Sequence, residues 1–156
     1  MAAITDWADT VNLGFSKIVS MGNKAGIKED ELLRYLGKDK NTKVITMYLE
    51  SVEDGRKFVE IARNISLKKP IVVLKSGVTG KGKVAVSSHT GALAGSDQAV
   101  EAAFKKCGII RAGTIEELFD LTKAFSWQPL VKTNKIAILT NAGGCLLYTS
   151  PSPRDS

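Results

Sequence analysis

The chain has 156 residues, 44% hydrophobic and 24% charged, which suits one globular domain with its own core and leaves no room for a second large one. Its formal charge of +6 invites anionic partners, but with only 6% aromatic residues there is no stacking surface among the basic ones, so phosphorylated small molecules fit better than nucleic acid. Two cysteines, Cys107 and Cys145, no apolar run near the roughly 18 residues of a membrane span, and no leader-like start point to a reducing, cytoplasmic setting away from membranes.

In chain order, hydrophobic periodicity alternates between helix and strand. An amphipathic helix opens at Met1 or Ala2, and the β-branched run KIVSM (17–21) reads as a buried strand. A helix over 28–36 is expected to end at Gly37 as its C′ glycine. The run KVITMYL (43–49) reads as the next strand. Phe58, Ile61, Ala62 and Ile65 then line one face of a helix that must stop before Pro70. PIVVL (70–74) is a third strand, 97–106 a helix closed by Gly108, and GIIR (108–111) a fourth strand. Thr114 and Glu117 have capping-box spacing ahead of Leu118, Phe119 and Leu121, and KIAILT (135–140) reads as a fifth strand. This alternation predicts an α/β, flavodoxin-like, doubly wound parallel sheet. Ligands of such sheets sit at the carboxyl ends of the strands. Glu50, Lys75 and the loop leading to His89 all follow strand ends.

His89 is the one histidine of the chain and lies in VAVSSHTGALAGSD. A lone histidine is more often structural than catalytic, but these surroundings are unusual for a structural one. Gly91 and Gly95 allow close backbone approach, Ser87, Ser88 and Thr90 supply hydroxyls, and Ser96 with Asp97 opens a helix whose free N–H groups and dipole favour an anion. Neutral imidazole is nucleophilic near pH 7, and its phosphoramidate retains a high transfer potential, so this pattern suits phosphoryl relay. Such a relay needs a carboxylate to fix the imidazole tautomer and donors for the phosphate. Glu50 is the candidate for the first, although an acidic residue after a strand ordinarily begins a solvated loop. Thr90 and Gly91 are the candidates for the second, through a hydroxyl and backbone N–H groups.

Seven collinear segments carry a resemblance: GFSKIVSMGNKA (14–25), KVITMYLES (43–51), KKPIVVLKSGVTGKGK (68–83), SSHTGALAGSD (87–97), AAFKKCGIIR (102–111), IEELFD (115–120) and TNAGG (140–144). Together they make the chain resemble the NDP-forming (ADP-forming) acyl-CoA synthetases, relatives of the succinyl-CoA ligase alpha subunit. The resemblance implies a phosphorylated histidine at His89 contacted by a glutamate at the position of Glu50. It implies the reaction of an acyl-CoA, ADP and phosphate to the acid, CoA and ATP. CoA, ATP or ADP and Mg²⁺ are implied for the complete enzyme, with none of them assigned to residues of this chain. The implied partners are a CoA-binding domain, an ATP-grasp domain or subunit, and acyl phosphate or phosphate, in an enzyme that is oligomeric when complete. Two alternatives remain: a regulatory or interaction module, as fused in protein-lysine acetyltransferases, and the succinyl-CoA ligase alpha subunit itself. Retention of His89 speaks against the first, and the serine- and threonine-flanked SSHTGALAGSD against the second, whose histidine run is richer in glycine and alanine.

By this reading 1–126 is a succinyl-CoA synthetase-like flavodoxin-type domain whose lead-in is missing, and 127–144 a linker with the first strand of a following domain. CLLYTSPSPRDS (145–156) is a non-family tail, expected to be disordered or to derive from an adaptor junction. The relay portion is expected to be inactive on its own. Gly77 to Lys83 spells G-x-x-x-x-G-K, but Val84 lacks the hydroxyl a P-loop offers to Mg²⁺, so nucleotide binding does not follow from it. A zinc set around His89 fails for want of a second histidine, and Ser-His-Asp hydrolysis for want of a G-x-S-x-G elbow. Asn23 reads as a turn residue before a helix.

Overall fold

The computed structural model describes residues 2–22, 26–76 and 97–131, with positions 133, 135, 137 and 139. Helix α1 spans Ala2–Thr10 and α2 Glu29–Lys38; strand β1 is Ile45–Leu49, α3 Gly55–Ser66, β2 Ile71–Lys75, α4 Asp97–Lys106, β3 Ile110–Ala112 and α5 Ile115–Trp127. The strands form one parallel sheet in the order β1-β2-β3, with Ile45 opposite Ile71 and Val72 opposite Ile110.

β2 is the central strand, and its alternating side chains feed two cores. Ile71 and Val73 face a cluster built with Ile45, Leu49, Leu33 of α2, Phe58, Ile61 and Ala62 of α3, and Phe104 of α4. Val72 turns the other way, to Ala112 and Leu118, with Leu74, Leu121 and Phe125 packed around them. Helices therefore cover both sides of a sheet whose central strand is apolar on both faces, as a doubly wound parallel sheet requires. Ala8 and Leu13 close over Phe119, joining α1 to α5. Across the second face, the Thr46 and Thr122 hydroxyls lie 2.8 Å apart and tie β1 to α5.

The expected apolar face of α3 is buried at Phe58, Ile61 and Ala62, and Asp54 caps the helix by accepting from the Lys57 N–H. Gly108 takes φ +70°. The Ile109 N–H donates to the Phe104 carbonyl at 2.9 Å and the Gly108 N–H to that of Lys105 at 3.3 Å, the pairing of a Schellman end, with Phe104 and Ile109 in one cluster.

Four expectations are corrected. Gly37 is not a C′ glycine but lies within α2, which runs to Lys38. A Cβ there would meet Ile65 of α3 at 2.7 Å, so the missing side chain serves the approach of two helices. The run 17–21 is not a strand: Ile18 and Val19 are exposed, and among the described residues nothing forms a ladder with it. Its neighbours are side chains, with Ser16 bonded to Thr42 and Lys17 to Asp39. In 135–140 the described residues Lys135, Ala137 and Leu139 are not in a strand either, and Leu139 is fully exposed. β-branched composition alone does not make a strand, because the ladder requires a partner. Finally, the Thr114 hydroxyl accepts from the Glu117 N–H as expected, but the Glu117 carboxylate accepts from the Gly113 N–H, one residue before the reciprocal position of a capping box.

Asp39 joins the 17–21 segment to the entrance of β1. Its Oδ2 accepts from Lys17 Nζ at 2.7 Å and from the Thr42 hydroxyl at 2.6 Å, and these two bonds, the Lys17 bond foremost, hold its carboxyl down at about 2. A carboxyl whose folded pKa lies below its unfolded one contributes stability above the ordinary carboxylate range, and that contribution is lost as pH falls from about 4 through about 2. Thermal midpoints followed over that window should fall less steeply in Asp39→Asn than in the parent chain. Identical slopes would show that the Lys17 and Thr42 bonds do not bear on folding.

Candidate functional site at the carboxyl edge of the sheet

All three strands point their carboxyl ends to one edge, because parallel pairing leaves no alternative. Glu50 stands one residue beyond β1 at that edge, with its side chain exposed. Leu49 is in register with Lys75, the last residue of β2. The Ser76 N–H extends the ladder to the Leu49 carbonyl at 2.9 Å. Lys75 Nζ donates to the main-chain oxygens of Glu50 and Ser76, each at 2.7 Å. Glu50 is thus held to the exit of β2 through its carbonyl, by the Lys75 side chain, and the Lys75 amine at this edge is bonded to main-chain oxygens.

From Ser76 the chain enters residues 77–96 and returns at Asp97, the first residue of α4. His89, Thr90, Gly91, Gly95, Ser96 and the Gly77–Lys83 stretch lie outside the described residues, as do Asn23 and the tail. The return point is tied to the sheet: Arg111 of β3 pairs with Asp97 at 2.5 Å and with Glu101, one turn further along α4, at 3.0 Å. The Arg111 bond, ahead of one from Lys105, holds the Glu101 carboxyl below its ordinary range. Both ends of the segment that contains His89 are therefore anchored on the sheet, one at the carboxyl end of β2 and the other against β3.

The loop that carries Glu50 is gripped from below by the first turn of α2. Glu29 is 2% exposed, and its Oε1 accepts from the Glu53 N–H at 2.8 Å. Lys28 Nζ pairs with the Glu53 carboxylate at 2.8 Å, and the buried Asp30 pairs with Lys57 in the first turn of α3 at 2.5 Å. The Lys57 bond keeps the Asp30 carboxyl below its ordinary range. Nothing in the sequence singles out Glu29, since GIKEDELL reads as an acidic helix start facing water. Two surface depressions lie elsewhere, one over α2 between Arg34, Tyr35 and Lys57, the other at the amino end of the sheet between Lys43, Pro70 and Trp127. No described helix is long and apolar enough to cross a membrane.

A parallel sheet covered by helices on both faces, with the carboxyl ends of its strands on one edge, defines a flavodoxin-like α/β domain. The chain belongs to the succinyl-CoA ligase like flavodoxin domain family, whose model matches residues 1–125. It is 55% identical over 142 residues to the ADP-forming acetate–CoA ligase of Methanocaldococcus jannaschii, covering 91% of this chain and 20% of that protein. It is 46% identical to the alpha subunit of the ADP-forming acetate–CoA ligase I of Pyrococcus furiosus, covering 91% of this chain and 31% of that one. Among solved structures it is similar to the dinucleotide forming acetyl-coenzyme A synthetase 1 of Ca. Korarchaeum cryptofilum in complex with phosphate and ADP, with a TM-score of 0.83, 45% identity, and coverage of 91% of this chain and 31% of that one. The chain thus spans from a fifth to under a third of the length of these relatives.

Proposed function

We propose that this chain is the phosphohistidine relay domain of an ADP-forming acyl-CoA synthetase and does not turn over without the rest of that enzyme. The observation that carries the reading is the position of Glu50, one residue beyond β1 and held by its carbonyl, through the Lys75 side chain, to the strand end from which the His89 segment departs. The similarity to acetate–CoA ligases that form ADP supports the same reading.

In the proposed sequence, phosphate displaces CoA from the acyl-CoA to give an acyl phosphate. A neutral imidazole nitrogen of His89 attacks its phosphorus, the P–O bond to the acyl group breaks, and the carboxylate leaves. The phosphoryl group then passes from His89 to the terminal oxygen of ADP, giving ATP and restoring the imidazole. Within this sequence Glu50 fixes the tautomer and steadies the charged ring, while Thr90 and Gly91 donate to the phosphoryl oxygens through a hydroxyl and a backbone N–H. CoA, the nucleotide and Mg²⁺ are assigned to the remaining domains or subunit, as the resemblance implies, and among the described edge residues the Lys75 amine is bonded to main-chain oxygens.

The test is the reverse reaction. The complete enzyme incubated with ATP and Mg²⁺ should acquire an acid-labile, base-stable phosphoryl group on His89, while the isolated 156-residue chain stays unlabelled until its partners are added. Glu50→Gln should slow this labelling by about 10- to 100-fold, the usual loss for one orienting contact, with the thermal midpoint unchanged because the side chain is exposed. Labelling of Glu50→Gln at the parent rate would return Glu50 to the solvated loop.

A further inference from the structure

We propose that Glu29 is a positioning residue for the relay: its buried carboxylate holds the β1–α3 loop, and with it Glu50, at the sheet edge. The inference rests on the function proposed above. A carboxylate that is 2% exposed gives up hydration and has to recover it in hydrogen bonds, and one such bond goes to a main-chain N–H three residues beyond Glu50. That same residue, Glu53, is held a second time through its side chain by Lys28. Lys57, four residues further on, is held by Asp30. Three consecutive residues, Lys28 and the first two of α2, therefore fasten the segment from Glu53 into α3, and Lys75 fastens the Glu50 carbonyl. Among the described residues, the Glu29 bond is the one that reaches the loop's backbone from a buried side chain. A loop free to shift by an ångström would present Glu50 out of line with the imidazole, and misplacements of that size are costly in rate.

The experiment uses the complete enzyme with four single variants, Glu29→Ala, Glu29→Asp, Glu29→Gln and Glu50→Gln, and the double variant of Glu29→Ala with Glu50→Gln. Phosphohistidine formation is read together with hydrogen exchange of the Glu53 amide. Glu29→Ala and the shorter Glu29→Asp should label about 10- to 100-fold more slowly and lose protection at Glu53, and Glu29→Gln, which keeps an acceptor oxygen, should recover both. If Glu29 acts through Glu50, removing it in the Glu50→Gln background should add nothing, whereas a general structural defect would add in full. Parent-rate labelling of Glu29→Ala beside slow Glu50→Gln would overturn the positioning role and leave the relay standing. Full additivity in the double variant, or unchanged Glu53 exchange in Glu29→Ala, would overturn it as well. A complete enzyme that takes up no phosphate on His89 would overturn both.

Discussion

Replacing His89 by alanine should abolish phosphohistidine labelling of the peptides of this domain in the complete enzyme outright, rather than slow it. These 156 residues hold no second imidazole, so no other histidine among them can take up the phosphoryl group. The neighbouring Ser87, Ser88 and Thr90 have hydroxyls, but phosphate on them would show the opposite lability. The two outcomes are therefore separable on one gel, treated once with acid and once with base. Acid-labile label persisting in His89→Ala would move the nucleophile elsewhere and dismantle the role assigned to Glu50 along with it. Loss of label with an unchanged thermal midpoint would place the defect in chemistry. His89→Asn, which keeps a hydrogen-bonding side chain of similar reach but no nucleophilic nitrogen, should behave as His89→Ala does.

Local rules made much of the scaffold legible. The α3 face was readable because four apolar residues recur at helical spacing, and the end of α4 because Gly108 is where a left-handed residue is needed. The strands that formed are those that find parallel neighbours, and Glu50 was located at their carboxyl edge by counting from the end of KVITMYL. What failed depends on tertiary contact. KIVSM has strand composition, but pairing is a property of two segments and composition describes one. Gly37 resembled a helix stop because a glycine after a periodic run usually is one, and its actual reason, the approach of Ile65, lies on another helix. Glu29 is the instructive miss. Glu29, Asp30 and Glu31 are chemically alike in the sequence, yet the first two are buried and hold the β1–α3 loop and the first turn of α3, while the third is exposed and accepts from the N–H of Lys28 at its own helix start.

The largest effect on folding should come from Phe58→Ala, at about 3–5 kcal/mol. Phe58 is 1% exposed and, from the first turn of α3, enters the cluster where α2, α3, α4 and the sheet meet. Truncation removes the transfer free energy of the ring and leaves a void that Leu33, Ile45, Leu49 and Val73 cannot all close, since they lie on three elements, α2, β1 and β2, fixed by their own ladders and helices. A domain of this size has only about 5–15 kcal/mol in hand, so such a loss consumes a large part of it. Phe58 also stands one residue after Lys57, which holds Asp30, and four after Asp54, whose side chain caps α3. The void therefore opens beneath the loop that carries Glu50, and the folding defect should be accompanied by faster amide exchange at Glu53. Urea unfolding of Phe58→Ala and Phe58→Leu, monitored by far-ultraviolet circular dichroism, separates the contributions: the leucine variant refills much of the space and should recover most of the loss. A midpoint for Phe58→Ala within error of the parent would mean that α3 is not packed on the sheet through this side chain, and the single core described for that face would have to be redrawn.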